Sequence, residues 1–194
     1  NTLGVISAAG QATLQTADLI NQQGVIQTLA GKDLKITSQK LNNQSGKIIA
    51  GRDANLQVSE LNNDAGTVYA AGKLGLHATQ NVTNQKGLIA AKQALVIDAQ
   101  NLNNYKGQIQ TESGDASLSI AQTLNNQAGR IQSANALKIT AGQVENQDGQ
   151  LLAGTDTKID VTQLNNQSGT KKKKKQLDVN VAGEIDNSAG TLAA

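Results

Sequence analysis

The sequence predicts an all-β chain wound into a parallel β-helix, a solenoid of about nine coils of 20–22 residues, and three observations carry that expectation. A six-residue pattern (an aliphatic residue, any residue, Asn, any two residues, Gly) recurs nine times without insertion or deletion. Apolar residues stand at fixed offsets from its glycine, with the alternation of half-buried strands. The composition is rich in Gly, Ala, Asn, Gln, Thr, Leu, Ile and Val but has two Tyr and no Phe, Trp, Met, Cys or Pro, which suits a narrow aliphatic interior walled by short polar turns better than a globular core.

The pattern opens at Leu19, Leu41, Leu61, Val82, Leu102, Leu124, Val144, Leu164 and Ile185. Its asparagines are Asn21, Asn43, Asn63, Asn84, Asn104, Asn126, Asn146, Asn166 and Asn187, and its glycines Gly24, Gly46, Gly66, Gly87, Gly107, Gly129, Gly149, Gly169 and Gly190. Gly4 reads as a tenth whose upstream half is cut off. Residues 1–194 therefore form a single repeat segment, which reads as an internal piece of a longer filament, since no signal peptide opens it.

Two residues past each glycine comes an aliphatic residue, as in Ile26, Ile48, Val68, Ile89, Ile109 and Ile131, and two further on a small one, as in Thr28, Ala50, Ala70 and Ala91. That spacing makes a first strand with one inward face. A second strand follows a polar link, with inward pairs Leu34/Ile36, Leu56/Val58, Leu76/Ala78, Ile97/Ala99, Leu118/Ile120, Ile139/Ala141, Ile159/Val161 and Val179/Val181. The aliphatic residue that opens the next motif is a third, shorter contact, so each coil has two strands, one shorter segment and three bends. Thr111 to Asp115 carries one residue more than the equivalent links. Apolar offsets of this kind make no helical stripe, and a leucine-rich repeat would need a helical return segment that is absent.

Stacking in register assigns the motif residues structural jobs. Equivalent asparagines lie above one another, where their amides bond along the stack and to turn backbone. The glycine is expected at a positive φ that a β-carbon would penalise. A ligand-binding Asn column is the alternative, but repetition at every coil is what a scaffold demands.

The search for chemistry is mostly negative. Without cysteine there is no disulfide framework and no thiolate metal site, and His77 is the only histidine, so no metal or cofactor is expected. No apolar run is long enough for a membrane span. The outward column of the second strand reads Lys35, Gln57, His77, Asp98, Ser119, Thr140, Asp160 and Asn180. His77, Asp98 and Ser119 invite a triad reading, but the imidazole must stand between carboxylate and hydroxyl, and here the carboxylate does. Asp98 and Asp160 are three coils apart, roughly 14 Å, too far for a two-carboxylate glycosidase. The leading expectation is a non-enzymatic shaft; a polysaccharide-active β-helix lyase or hydrolase is the alternative.

The charge of +2 is concentrated, because five of the seventeen basic residues are Lys171 to Lys175; the remainder are outnumbered by fifteen acids. No spread basic face or stacking aromatics support nucleic-acid binding. Counted from Gly169, Lys171 takes the inward position held elsewhere by Ile, and the run overwrites a strand without changing the coil's length. It would bury ammonium groups or unpair that strand. The run reads as an engineered replacement or a misassigned stretch of the native sequence, with a solvated strand or an anionic-surface contact as the other readings.

At Leu41 to Ala50 and again at Leu124 to Ser133, the repeated L-x-N-x-x-G-x-I-x-A/S resembles the haemagglutinin repeats of filamentous haemagglutinin-like exoproteins, a family that includes bacterial adhesins and the effectors of contact-dependent growth inhibition. The resemblance spans essentially the whole chain. It implies a right-handed parallel β-helix secreted through an outer-membrane partner transporter to the bacterial cell surface. There the family acts in attachment, to a host or neighbouring-cell receptor or glycan, or in presenting a distal receptor-binding or toxin module. The family's amino-terminal secretion domain and toxin modules are not seen in these residues.

Overall fold

The computed structural model describes residues 1–172 and 176–193. Within them the chain is all β, with no helix, wound as a β-solenoid of about nine turns. The first strand of each coil, Val25–Thr28, Lys47–Ala50, Thr67–Ala70 and their equivalents, joins a ten-stranded sheet running the length of the rod, in which neighbouring strands pair in parallel. The rest of each coil builds a thirteen-stranded parallel sheet. In five coils the second strand and the shorter segment are one continuous strand, as in Leu34–Asn42, Ala54–Asn62 and Leu137–Glu145. In others they stay separate, as in Leu74–Ala78 followed by Asn81–Thr83.

The core is a stack of aliphatic layers. Ile48 and Ala50 enter from one wall, Ala54, Leu56 and Val58 from the second, and Leu61 from the third, all buried. Each is matched by like residues above and below, with Ile26, Ile48 and Val68 in one column and Leu41, Leu61 and Val82 in another. A buried Leu, Ile or Val contributes about 1.5–3 kcal/mol relative to exposure, and here the burial comes from the coils on either side rather than from within a coil.

The register corrects the sequence alignment at one coil. Ile36, not Leu34, stands opposite Leu56, and Leu34 stands opposite Ala54. The link Leu29 to Asp33 therefore carries two extra residues, with Gly31 turning at φ 76°. The slip was invisible in the sequence because a two-residue shift keeps the same face inward. It also moves Lys35 out of the His77 column, where Thr37 takes its place. A further inward column, through Leu34, Ala54, Leu74 and Leu95, was missed for the same reason. Ser38 falls in the column of Val58 and Ala78, and its hydroxyl is buried without a hydrogen-bond partner.

At the lysine run, Thr170–Lys172 remains a strand, with Lys171 between Leu151 and Leu192 in register. The expected unpairing does not occur at these positions; Lys173 to Lys175 lie outside the described residues.

Candidate functional site

The repeated motif forms a buried amide ladder at one bend of the coil. Asn21, Asn43, Asn63, Asn84, Asn104, Asn126, Asn146 and Asn166 are all 0% exposed. In each, Nδ2 donates to Oδ1 of the asparagine in the next coil, at 2.7 Å from Asn21 to Asn43 and again from Asn166 to Asn187. The same amide donates to the carbonyl of the glycine three residues on, as from Asn43 to Gly46 at 3.3 Å, and, in the six rungs from Asn21 to Asn126, to a carbonyl of the next coil, as from Asn43 to Thr67 at 3.1 Å. One side chain thereby closes its own turn and fastens it to its neighbour. Asn1 is a further rung, donating to Asn21 Oδ1 at 2.6 Å; its position three residues before Gly4 was the signal that could have revealed it.

At six of the rungs the residue before the ladder asparagine has a separate task. Oδ1 of Asn42, Asn62, Asn103, Asn125 and Asn165 accepts the amide N–H two residues ahead, an Asx turn that sets the entry to the bend. Asp186 does the same for Ser188, and that N–H is the first cause holding its carboxyl below the ordinary value.

The glycines need correction. None of the motif glycines has a positive φ; the left-handed residue is the one before, with Ser45 at 55°, Lys86 at 55° and Ala128 at 52°. Glycine is required instead by close approach. A β-carbon on Gly107 would lie 2.1 Å from the carbonyl oxygen of Asn84 in the coil below and 2.5 Å from Oδ1 of Asn104. Gly46, Gly66 and Gly129 meet the same two kinds of oxygen at similar distances.

The outward column of the second sheet places His77, Asp98 and Ser119 on successive coils. His77 Nδ1 and Asp98 Oδ2 are 2.7 Å apart on half-exposed side chains. Asp98 lies between His77 and Ser119 in register, so the imidazole is not placed between carboxylate and hydroxyl, where it would have to stand to take the hydroxyl's proton while held by the carboxylate. Asp160 is three rungs beyond Asp98 in the same column. Among the described residues, no group of three or more His, Cys, Asp or Glu side chains is placed to hold a metal ion.

The opposite bend carries the clearest electrostatic contact. Arg52 clasps Asp33 of the preceding coil through Nε at 2.6 Å and a terminal nitrogen at 2.5 Å. That guanidinium, with the amide N–H of Asp53, lowers the Asp33 pKa to about 2, and the arginine is raised in turn by the carboxylate. On the first sheet's outer face, the Tyr69 hydroxyl reaches Glu112 Oε1 at 3.5 Å, two coils along; burial first, and then Glu112, pushes its pKa up.

What repeats is therefore a structural device, and single-copy features are surface contacts. Searches of curated proteins and of solved structures give no match. A family model described as the haemagglutinin repeat matches residues 1–41, 29–86, 69–127 and 111–189, which together cover the ladder from Asn1 to Asn187. On that coverage the chain belongs to the haemagglutinin-repeat family and is a filamentous haemagglutinin-like protein.

Proposed function

We propose that this chain is a shaft segment of a secreted filamentous protein on the bacterial surface, reaching its place through an outer-membrane partner transporter. In that position it holds a distal receptor-binding or toxin module away from the cell, or makes attachment contacts along its own sides. The observation that carries the reading is the unbroken amide ladder, in which each coil is bonded to the next by the same side chain from Asn1 to Asn187. A rod bonded coil to coil in this way is stiff along its described residues, and its reach grows linearly with the number of coils.

Two measurements test this. Duplicating residues 67–149, a whole number of coils from just after Gly66 to Gly149, should lengthen the particle in solution scattering by roughly 19 Å, four spacings of about 4.8 Å. A compact particle, or an unchanged maximum dimension, contradicts the shaft. On cells that make the parent protein, antibody to this segment should label the exterior when the partner transporter is present and not when it is deleted. Labelling confined to lysed cells contradicts the surface placement.

A further inference from the structure

The bend between the second strand and the shorter segment leaves a shallow groove along the outside of the rod. Three cavities lie on it, of about 310, 250 and 180 Å³. The first two share Asn81 and Thr83, and the register carries the same two columns of side chains on to the third. One column runs from Glu60 through Asn81, Asn101 and Thr123 to Gln143. Its companion, two residues along each strand, runs from Asn62 through Thr83, Asn103 and Asn125 to Glu145. The floor is the strand backbone at Leu61, Val82, Leu102 and Leu164, whose side chains point into the core.

We propose that this groove binds a linear polysaccharide that is uncharged or carries amines, lying parallel to the rod with one sugar unit per coil; the proposal rests on the attachment reading above and names its partner. Three features of the groove select that chemistry. Every rung offers an amide, hydroxyl or carboxylate, and the amides supply both donors and acceptors, which matches a polymer bearing hydroxyls on each unit. Charge then decides among polysaccharides. The three cavities are lined by Glu60, Asp64, Glu145, Glu184 and Asp186 and by no Lys or Arg, and Lys40 stands in register one rung before Glu60; the acidic excess repels a polyanion and favours an amino sugar. Spacing argues against a peptide. Coils repeat at about 4.8 Å, whereas an extended peptide places same-side residues at about 6.6–6.8 Å, so its side chains drift out of step with the rungs. An extended pyranose chain advances by nearly one coil per unit.

No aromatic side chain lines the groove, so each rung contributes little and affinity has to accumulate along the chain. The whole chain, checked as folded by circular dichroism, is titrated with glucosamine, N-acetylglucosamine and galacturonate oligomers of two to eight units. Binding of the first two should strengthen with each added unit, and galacturonate should not bind. Replacing Glu60→Gln together with Glu145→Gln should weaken the glucosamine oligomer by up to about tenfold, as two exposed ion pairs allow, and the N-acetylated one, which loses no ion pair, by much less. Gln143→Arg, in mid-groove, should weaken both. Tighter binding of galacturonate, binding independent of length, or tighter binding of an oligolysine would each overturn the proposal. So would no saccharide binding by a segment that is displayed on cells, an outcome that leaves the shaft reading standing.

Discussion

The two bends that flank the first strand of each coil obey different rules. Across the Asn–Gly bend, from the aliphatic residue that opens the motif to the one that begins the next strand, the count never changes: Leu41 to Ile48 spans as many residues as Leu102 to Ile109 or Val144 to Leu151. At the other bend, Thr28 to Leu34 has two residues more than Ala50 to Ala54, and Thr111 to Ala116 has one more. Backbone pairing between coils is present at both, through Asn43 N–H to Asn62 O at one and Gly72 N–H to Arg52 O at the other. The difference lies in the side chains. The Asn–Gly bend satisfies its polar groups internally with an amide that has one acceptable length, while the other relies on surface contacts that any short loop can replace.

The largest effect should come from removing a rung. Asn104→Leu keeps the branched shape but leaves the Asn84 amide without its side-chain acceptor and Asn126 Oδ1 without its donor. With each buried unpaired group costing about 1–3 kcal/mol, a loss of about 4 kcal/mol is expected in denaturant unfolding. Gly107→Ala, which drives a methyl group into two oxygens, should cost about 3 kcal/mol. The same measurement on Gln93→Ala, an exposed residue at the other bend, should move stability by less than about 0.5 kcal/mol. Comparable losses at the two bends would erase the distinction.

Insertion tests the comparison directly. One glycine added between Ser113 and Gly114 lengthens a link that already varies, and its entropic cost is below about 0.6 kcal/mol. The same glycine added between Tyr105 and Lys106 separates Asn104 from Gly107, which its amide and backbone must both reach. We expect the first protein to keep its β-sheet circular dichroism and melting temperature, and the second to lose a separate folded block or aggregate.

This asymmetry explains what was legible in the sequence. A bend held by buried partners tolerates one residue type at the positions that make those contacts, so the Asn and Gly columns stood out, and with them the solenoid. The variable bend left no such mark. Its two extra residues before Leu34 were hidden because the alternation of faces survives a shift by two, and the misplacement of Lys35 followed. The role of glycine was misread for a related reason. A recurring glycine at a turn suggests a positive φ, but crowding by the coil below is a property of the stack, which one coil's sequence does not reveal. The groove was missed altogether, because its columns combine Asn, Gln, Thr and Glu with no shared residue type, and only the register brings them into line.

The left-handed residues give a smaller effect of opposite sign. Ala128 is held at φ 52°, a conformation that costs an L-residue about 1–2 kcal/mol and glycine little. Ala128→Gly should therefore stabilise by about 1 kcal/mol, while Gly129→Ala one residue later destabilises. If both substitutions lower stability equally, conformational strain is not what separates the two positions.

The smallest effect belongs to the variable bend and depends on pH. Asp33 is exposed and its folded-state pKa is lowered from 3.8 to about 2, first by the hydrogen bond from Arg52 and then by the N–H of Asp53. A carboxyl whose pKa falls on folding stabilises the fold at pH above its unfolded value, and that contribution disappears as pH drops through its folded value. The difference in melting temperature between the parent chain and Arg52→Gln should thus be constant above about pH 4, shrink between pH 4 and pH 2, and vanish below. Because the pair is solvent-exposed, the difference should also fall as salt is added. Asn104→Leu removes buried neutral amides, so its destabilisation should be indifferent to salt and should not follow that titration; a salt-dependent loss there would mean that the ladder, too, is held by surface charge.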